Sequence, residues 1–409
     1  MRILVLSTAI PFPPVGGGKA RTYHLLRALA RSHELTLAGF TYGEEPGLAP
    51  YPARVVPVPW EAPPLYRQMT DSDAVAARRA AELLGRESNE PWSVSWAASD
   101  AMDASVRWLA QDTFDLVLLE GTPMARFLPA LPPDTPRVLD FMDVYTRMAV
   151  GEAQGEDAAE DRLREAERMR RFERQAAMQC DRCLTVSDQE AAAARELLGV
   201  NHVEVVPNGV DTAFFTPAAD EPEGASLLFT GSMSYRPNSE AVRHFARSIW
   251  PLILREVPEA TLHVVGTDPP QDVIALNCGN VVVHGFVPDM RPHYRSAAVV
   301  VAPLLRGGGT KLKVLEAAAS GKAIVTTSVG VEGLPFRDGD DLIVADSDAD
   351  FTRAVVDLVK DGERRRRLGG QARRVSLHHD WKRIGERICR IVEAVFSERA
   401  AAIRSGSRG

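Results

Sequence analysis

Cysteine is scarce in this chain, with four in 409 residues. That excludes a disulfide-stapled secreted scaffold and fits a reducing compartment, so a cytoplasmic protein is expected. Cys180 and Cys183 form a lone CxxC. No second pair or histidine cluster completes a zinc site, so buried thiols are expected there. Long apolar stretches are missing too. No run reaches about 18 residues, so no membrane span is encoded. The N-terminal MRILVLSTAI has too short an apolar core for a signal peptide and leads straight into a glycine loop, as a first buried strand would. There is no excess of basic charge: the net charge is −7, with 22 basic against 31 acidic residues over 1–215 and 26 against 24 over the remainder. This argues against a nucleic-acid partner. Peripheral membrane contact stays open through the arginine-rich stretch Arg162–Gln175, although a solvated helix face is the simpler reading. A solenoid-period repeat is absent.

What is present is alternation. Ile3–Ser7, Leu35–Phe40, Leu116–Glu120, Arg137–Phe141 and Arg182–Val186 are short apolar runs of the kind buried on both faces of a parallel sheet. Helical patterns lie between them at Lys19–Arg31, Ala74–Leu84, Ser99–Ala110, Ala158–Gln179 and Asp188–Leu198. A second series follows: strands Leu227–Thr230, Thr261–Val265, Val281–His284, Val299–Ala302, Ala323–Thr327 and Asp341–Val344, with helices including Ser239–Arg255, Met290–Arg295, Lys311–Ser320 and Asp350–Lys360. Two α/β series of similar size predict two Rossmann-like doubly wound domains. The first is expected over 1–215 and is completed by a final helix at 381–402; the second is expected over 216–380. The insert from Pro57 to Ala98 carries Trp60, Tyr66, Trp92 and Trp96, which read more simply as satellite core than as a sugar platform.

Two glycine loops carry the chemistry. Gly16, Gly17 and Gly18 follow the first strand, but Pro11, Pro13 and Pro14 intervene, so this is no dinucleotide fingerprint. The second loop lies in APLLRGGGTKLKVLEAAASG, Ala302–Gly321. Three glycines, Gly307 to Gly309, run from a strand into a helix start, where free N–H groups and the positive helix end favour an anion. Arg306, Lys311 and Lys313 add cations, and Glu316 adds a carboxylate. Cations for phosphates and a carboxylate for hydroxyls suit a nucleotide sugar.

Several motifs occur in one order: Val186-Ser187 with Glu190-Ala191, Pro207-Asn-Gly-Val-Asp211 followed by Phe215, His263-Val-Val-Gly266, His284-Gly-Phe-Val287 and Leu315-Glu-Ala317. Together, over roughly Met1–Val392, they resemble the nucleotide-sugar glycosyltransferases of glycosyltransferase family 4. The resemblance implies an α/β GT-B fold, two Rossmann-like domains facing a central cleft whose closure is a step of the reaction. It implies transfer of a sugar from a nucleoside diphosphate to an acceptor hydroxyl with retention, and no metal or cofactor beyond the donor itself. The acceptor class stays open among glycan, lipid-linked sugar and small metabolite. Glu316 matches the glutamate that holds the ribose hydroxyls. Val287 falls where the main chain meets the base. Gly17 and Gly18 match the loop on the sugar and acceptor side. Gly266, Ser232, Gly309 and Thr310 complete the expected donor set.

Three departures matter. The first glutamate of the family pattern falls at Gly308. The cations after the first strand of the second domain are replaced, with Ser232 and Pro237 at their places. Met142 stands where a histidine is usual beside Asp143. The expectation is therefore that Arg306, Lys311 and Lys313 take over the diphosphate, with Lys311 and Arg306 catalytic and Asp143 orienting the acceptor or acting as base. Asp140, Arg21 and His24 are weaker candidates. Asp71-Ser-Asp73 and Asp346-Ser-Asp348 could hold a metal, but the latter precedes a helix, where Asp is expected as a cap. A sugar-nucleotide epimerase on the same fold and a catalytically dead nucleotide-sugar-binding protein remain alternatives.

Overall fold

A computed structural model describes residues 1–43, 50–51, 53–61, 90–153, 160–218, 222 and 224–406. The helix expected at Ala74–Leu84 and the Asp71–Asp73 pair lie outside the described residues. The chain divides into Met1–Pro207 with Gly385–Gly409, and Asn208–Ile384. This division comes shortly before the expected Phe215, because the stretch after Pro207 is bonded into the second unit. Arg373 donates to the carbonyls of Thr212 and Phe215, and the Phe215 ring meets Tyr294 edge-on at 5.6 Å.

The first unit is built on a seven-stranded sheet: β1 (Arg2–Ser7), β2 (Glu34–Thr41), β3 (Arg54–Pro59), β4 (Leu116–Glu120), β5 (Arg137–Asp140), β6 (Arg182–Thr185) and β7 (Val203–Val205). Its order is β3-β2-β1-β4-β5-β6-β7, with every pairing parallel. Two of these strands escape the sequence pattern. β3 contains Pro57 and Pro59 and survives because it lies at the sheet edge, where a missing N–H breaks no ladder. β7 is only three residues long and sits at the other edge. The helices behave as their ends dictate. Ser99 and Ser187 cap Asp100–Leu109 and Asp188–Leu198 by accepting from the third residue on, and Gly199 closes the latter in the left-handed conformation. The final helix, Trp381–Gly406, lies on the helix Gly17–Leu29: a Cβ at Gly385 would stand 2.4 Å from the Ala28 methyl. Cys180 and Cys183 are buried in this unit's core, and burial pushes both thiols up.

The second unit carries β8 (Ser226–Thr230), β9 (Thr261–Val265), β10 (Val281–Gly285), β11 (Val299–Ala302), β12 (Ala323–Thr326) and β13 (Ile343–Val344), in the order β10-β9-β8-β11-β12-β13, again parallel throughout. Strand periodicity sorts its core. Leu227, Phe229, Val299, Val301 and Val325 pack with Ala241, Val242, Trp250 and Ile253 on one face. Leu228, Val300 and Ile324 pack with Val314, Leu315 and Ala318 on the other. Both faces being covered explains the unbroken apolar runs. The helix expected at Ser239–Arg255 is in fact Arg236–His244 and Trp250–Glu256, joined by a wide turn at Phe245–Ile249. Pro251 has no N–H to continue the ladder, which forces the irregularity. Gly362–Ser376, capped by Asp361, absorbs Arg364–Arg367 into a helix. Ser347, not Asp346, caps Asp348–Lys360 by accepting from Asp350. Among the described residues no helix is long and apolar enough to cross a membrane.

Buried charge concentrates in the first unit where the strand order reverses. Arg21, 1% exposed, donates to Asp140 at 2.8 Å and to the carbonyls of Val206 and Pro207 at 2.8 and 3.3 Å. Glu120 at the end of β4 has no exposure and accepts from Thr22 at 3.1 Å. One cation thus faces two carboxylates. Burial, and then Asp140, push the Glu120 carboxyl up to about 8 against the pull of Arg21. The folded state binds this proton more tightly than the unfolded chain. Its contribution is greatest below the ordinary value of 4.5 and is lost as pH rises to about 8. Glu120→Gln, which cannot ionise, is expected to melt above the wild type at about pH 8.5, with the gap closing toward about pH 5. Thermal unfolding at the two pH values tests this, and a gap of equal size at both contradicts it.

Candidate active site

The donor-side candidates lie at the carboxyl ends of β8, β9, β10 and β11. Between β8 and β11 the ladder has two pairs, Val299 with Leu227 and Val300 with Leu228, whereas β11 and β12 share four. Phe229 and Thr230 therefore run on past their last partner on that side. This is also where the strand order reverses, the usual place for a ligand in an open parallel sheet.

Glycine makes the close approach beyond the strands possible. A Cβ at Gly266 would stand 1.8 Å from the Gly231 carbonyl oxygen, so backbone touches backbone. Gly231 itself, at φ 148°, leaves the space into which the Lys313 ammonium and the Asn238 amide come, each 2.7 Å from where its Cβ would be. Asn238 donates to the Ser232 carbonyl at 2.8 Å, and its oxygen accepts from Lys313 at 2.6 Å. The Ser232 hydroxyl meets Ser234 at 2.7 Å and accepts from Thr267 at 2.9 Å. Lys313 also lies over the Phe229 ring at 4.4 Å. Glu316 accepts from the Tyr294 hydroxyl at 2.9 Å, and that hydroxyl reaches Thr230 at 3.3 Å. Val287 packs against the adjacent core.

Burial decides the charge states here. It lowers Lys313 to about 7, helped by neighbouring Lys311 and opposed by Glu316. It raises Glu316 to about 7, against the Tyr294 bond and Lys313. Between them, the helix Leu312–Ala319 offers one cation and one carboxylate, both poised near neutrality.

The glycine loop has its own support. The Lys311 side chain, 7% exposed as a residue, donates to the carbonyls of Gly307 and Gly308 at 3.2 and 3.0 Å and to that of Gly309. Asn208 donates to the Thr310 hydroxyl at 2.8 Å. Among the described residues, the backbone N–H groups of Gly307, Gly308, Gly309 and Thr310 have no acceptor. Arg306 is exposed and forms an ion pair with Glu240, which also pairs with Arg236. The structure therefore brings together Lys313, Glu316, Ser232 and Gly266, sets Lys311 behind the loop, and places Arg306 on Glu240.

The remaining candidates belong to the first unit. Gly17 and Gly18 open the helix Gly17–Leu29, preceded by Gly16 at φ 88°. Asp143 lies in the loop after β5, between Met142 at φ 60° and the helix Tyr145–Ala153. Three carboxylates from separate elements hold this loop: Asp140 accepts from Met142, Glu190 from Val144, and Glu173 from Tyr145 and Thr146, at 2.7 to 3.0 Å. Sequence reasoning missed Asn208, Asn238 and Tyr294 as site residues. Asn208 lies inside a motif that was recognised. Asn238 and Tyr294 carry no local signal, because each matters only through a partner far away in the chain.

At the strand reversal of the second unit a glycine loop, the Lys313 ammonium and the Glu316 carboxylate thus stand on neighbouring elements. Residues 15–214 match the family described as Glycosyltransferase Family 4, and residues 224–361 match Glycosyl transferases group 1. The chain belongs to this family of glycosyltransferases. It is 30% identical over 227 residues to a phosphatidyl-myo-inositol mannosyltransferase of Mycolicibacterium smegmatis, covering 52% of this chain and 57% of the relative. An uncharacterized 44.6 kDa protein of the Klebsiella pneumoniae cps region is 23% identical over 145 residues, 33% of this chain and 37% of the relative. The chain thus aligns with little more than half of these relatives' length at most. Two solved structures share the GT-B fold. Sucrose-phosphate synthase from Thermosynechococcus elongatus superposes with a TM-score of 0.73 at 18% identity, over 97% of this chain and 100% of that one. Anabaena HepE in complex with UDP and glucose gives 0.66 at 13%, over 96% and 99%.

The close approach of Gly266 to the Gly231 carbonyl has a direct consequence. Gly266→Ala is expected to destabilise the protein by about 1–3 kcal/mol, because no side chain can move aside. Gly370→Ala, where a Cβ meets nothing within 4 Å, serves as the control and is expected to be neutral or slightly stabilising. Urea unfolding of both variants checks this, and equal stabilities contradict it.

Proposed function

We propose that this glycosyltransferase moves a sugar from a nucleoside diphosphate to an acceptor hydroxyl, with retention of configuration and without a metal ion. The observation that carries the reading is the helix Leu312–Ala319. It places Lys313 and Glu316 one turn apart, just after the loop Gly307–Thr310 in the chain, whose four backbone N–H groups have no acceptor within the described structure. Glu316 accepts from the ribose hydroxyls, and charge strengthens those bonds. The loop N–H groups and Lys313 receive the diphosphate. Lys311 acts through the loop, because its ammonium fixes three successive carbonyls and so turns the peptide planes of Gly307 to Gly309. As the glycosidic bond breaks, negative charge grows on the leaving diphosphate, and donors already fixed in place lower the barrier. The leaving phosphate takes the acceptor proton, and Asp143 orients the acceptor from its clamped loop. The mannosyltransferase relatives and the UDP and glucose bound to HepE support a sugar nucleotide as donor.

Nucleoside diphosphate release across a panel of sugar nucleotides tests this, with Glu316→Ala and Lys311→Ala as controls. Turnover with one donor is expected, and Lys311→Ala should reduce it on the order of 100–1000-fold while the protein stays folded. Activity within about threefold of wild type removes the role given to Lys311. Nucleotide binding without release on any acceptor favours a dead binding protein, for which Gly308 at the first glutamate position is the motive. Conversion of the donor sugar with no acceptor present favours an epimerase.

A further inference from the structure

The family's cations after the first strand of the second unit are missing here, yet that corner is not without a cation. Lys313 reaches it from the helix that follows β11. Its ammonium stands 2.7 Å from the would-be Cβ of Gly231, over the Phe229 ring and 2.6 Å from the Asn238 oxygen. Asn238 is 7% exposed, and its amide can be oriented in one way only. The nitrogen is committed to the Ser232 carbonyl, which leaves the oxygen for Lys313. We propose that Asn238 is a positioning residue that pins Lys313 at the end of β8, so that one lysine serves as the buried diphosphate cation in place of the lost pair. The inference rests on the donor reading above and adds the residue that makes it work.

Other groups face Lys313 without doing this task. Lys311 and Glu316, on or beside the same helix, act on its charge in opposite directions. Tyr294, from the helix Arg291–Ser296, is committed to Glu316 and Thr230. Phe229, from β8, offers only its ring face. Asn238 alone among these gives the ammonium a neutral oxygen within hydrogen-bond distance. A neutral partner holds the lysine in place without satisfying its charge, which stays available to an anion. It also leaves the ammonium easily deprotonated, since burial already lowers it to about 7. Nucleoside diphosphate affinity should therefore fall as pH rises above about 7, where binding must first return a proton to Lys313.

The test is titration calorimetry of the full chain with UDP, GDP and ADP from about pH 6 to 9. Asn238→Leu is expected to weaken the preferred nucleotide on the order of tenfold or more at about pH 7. The same change in a Lys313→Met background should have an effect below about twofold, because the partner is already gone. Asn238→Asp supplies a charged partner and should move the fall in affinity upward by about one pH unit or more. An equal loss from Asn238→Leu in both backgrounds, or an unmoved pH profile in Asn238→Asp, overturns the proposal. If Asn238→Leu does not fold, the profile of Asn238→Asp decides alone. A wild type that binds no nucleoside diphosphate sinks the donor reading and this inference with it. Binding without coupling sinks the inference only.

Discussion

The proposed donor side of this protein depends on one backbone contact, the Gly231 carbonyl against Gly266. β8 and β9 end side by side, and their exits can approach this closely only because Gly266 carries no side chain there. This contact lies at the head of the Gly231–Tyr235 loop, beside the space above Phe229. Lys313 enters this space from the far side of the strand reversal. A Cβ at Gly231 would close it, so the glycine shapes the loop and also admits the cation. The early end of the β8–β11 ladder serves the same purpose, since it frees the last two residues of β8 from their neighbour.

Electrostatics then make the site responsive. Buried ionisable groups in both units sit close to neutrality: Glu120 at about 8, Glu173, Glu316 and Lys313 each at about 7. Desolvation is the leading cause in every case, at Glu120 on a strand end and at Glu173, Lys313 and Glu316 on helices packed against the sheets. The two units use it differently. In the first, Arg21 and three hydrogen-bonded carboxylates fix the loop that carries Asp143, and the charge is spent on architecture. In the second, Lys313 and Glu316 have partners that are neutral or nearly so, which leaves their charge for a ligand.

Much of this was legible in the sequence. The strands Leu116–Glu120, Thr261–Val265 and Val299–Ala302 and the helix Asp188–Leu198 appear with the expected ends, because strong apolar runs and real caps mark them. β3 was hidden by its prolines, which only its edge position makes acceptable. The break at Phe245–Ile249 was hidden because the apolar pattern runs through it without interruption, while Pro251 was the available signal. The second glycine loop was legible as a strand-to-helix turn, and Glu316 as a carboxylate on the helix that follows it. The division of labour among the three cations was not. Adjacency in sequence put Arg306, Lys311 and Lys313 together, but their ammonium and guanidinium groups end up on Glu240, on the loop carbonyls and on Asn238 respectively. Long flexible side chains leave their backbone neighbourhood, and their destinations are set by partners that local pattern does not reveal.

The central claim is that Lys313 becomes the charged partner of the donor diphosphate. Proton uptake measures it most directly. Calorimetric binding of a nucleoside diphosphate at about pH 8, in buffers of different ionisation enthalpy, counts the protons taken up. The account predicts that the wild type takes up close to one proton more than Lys313→Met. Equal uptake by the two proteins would contradict it.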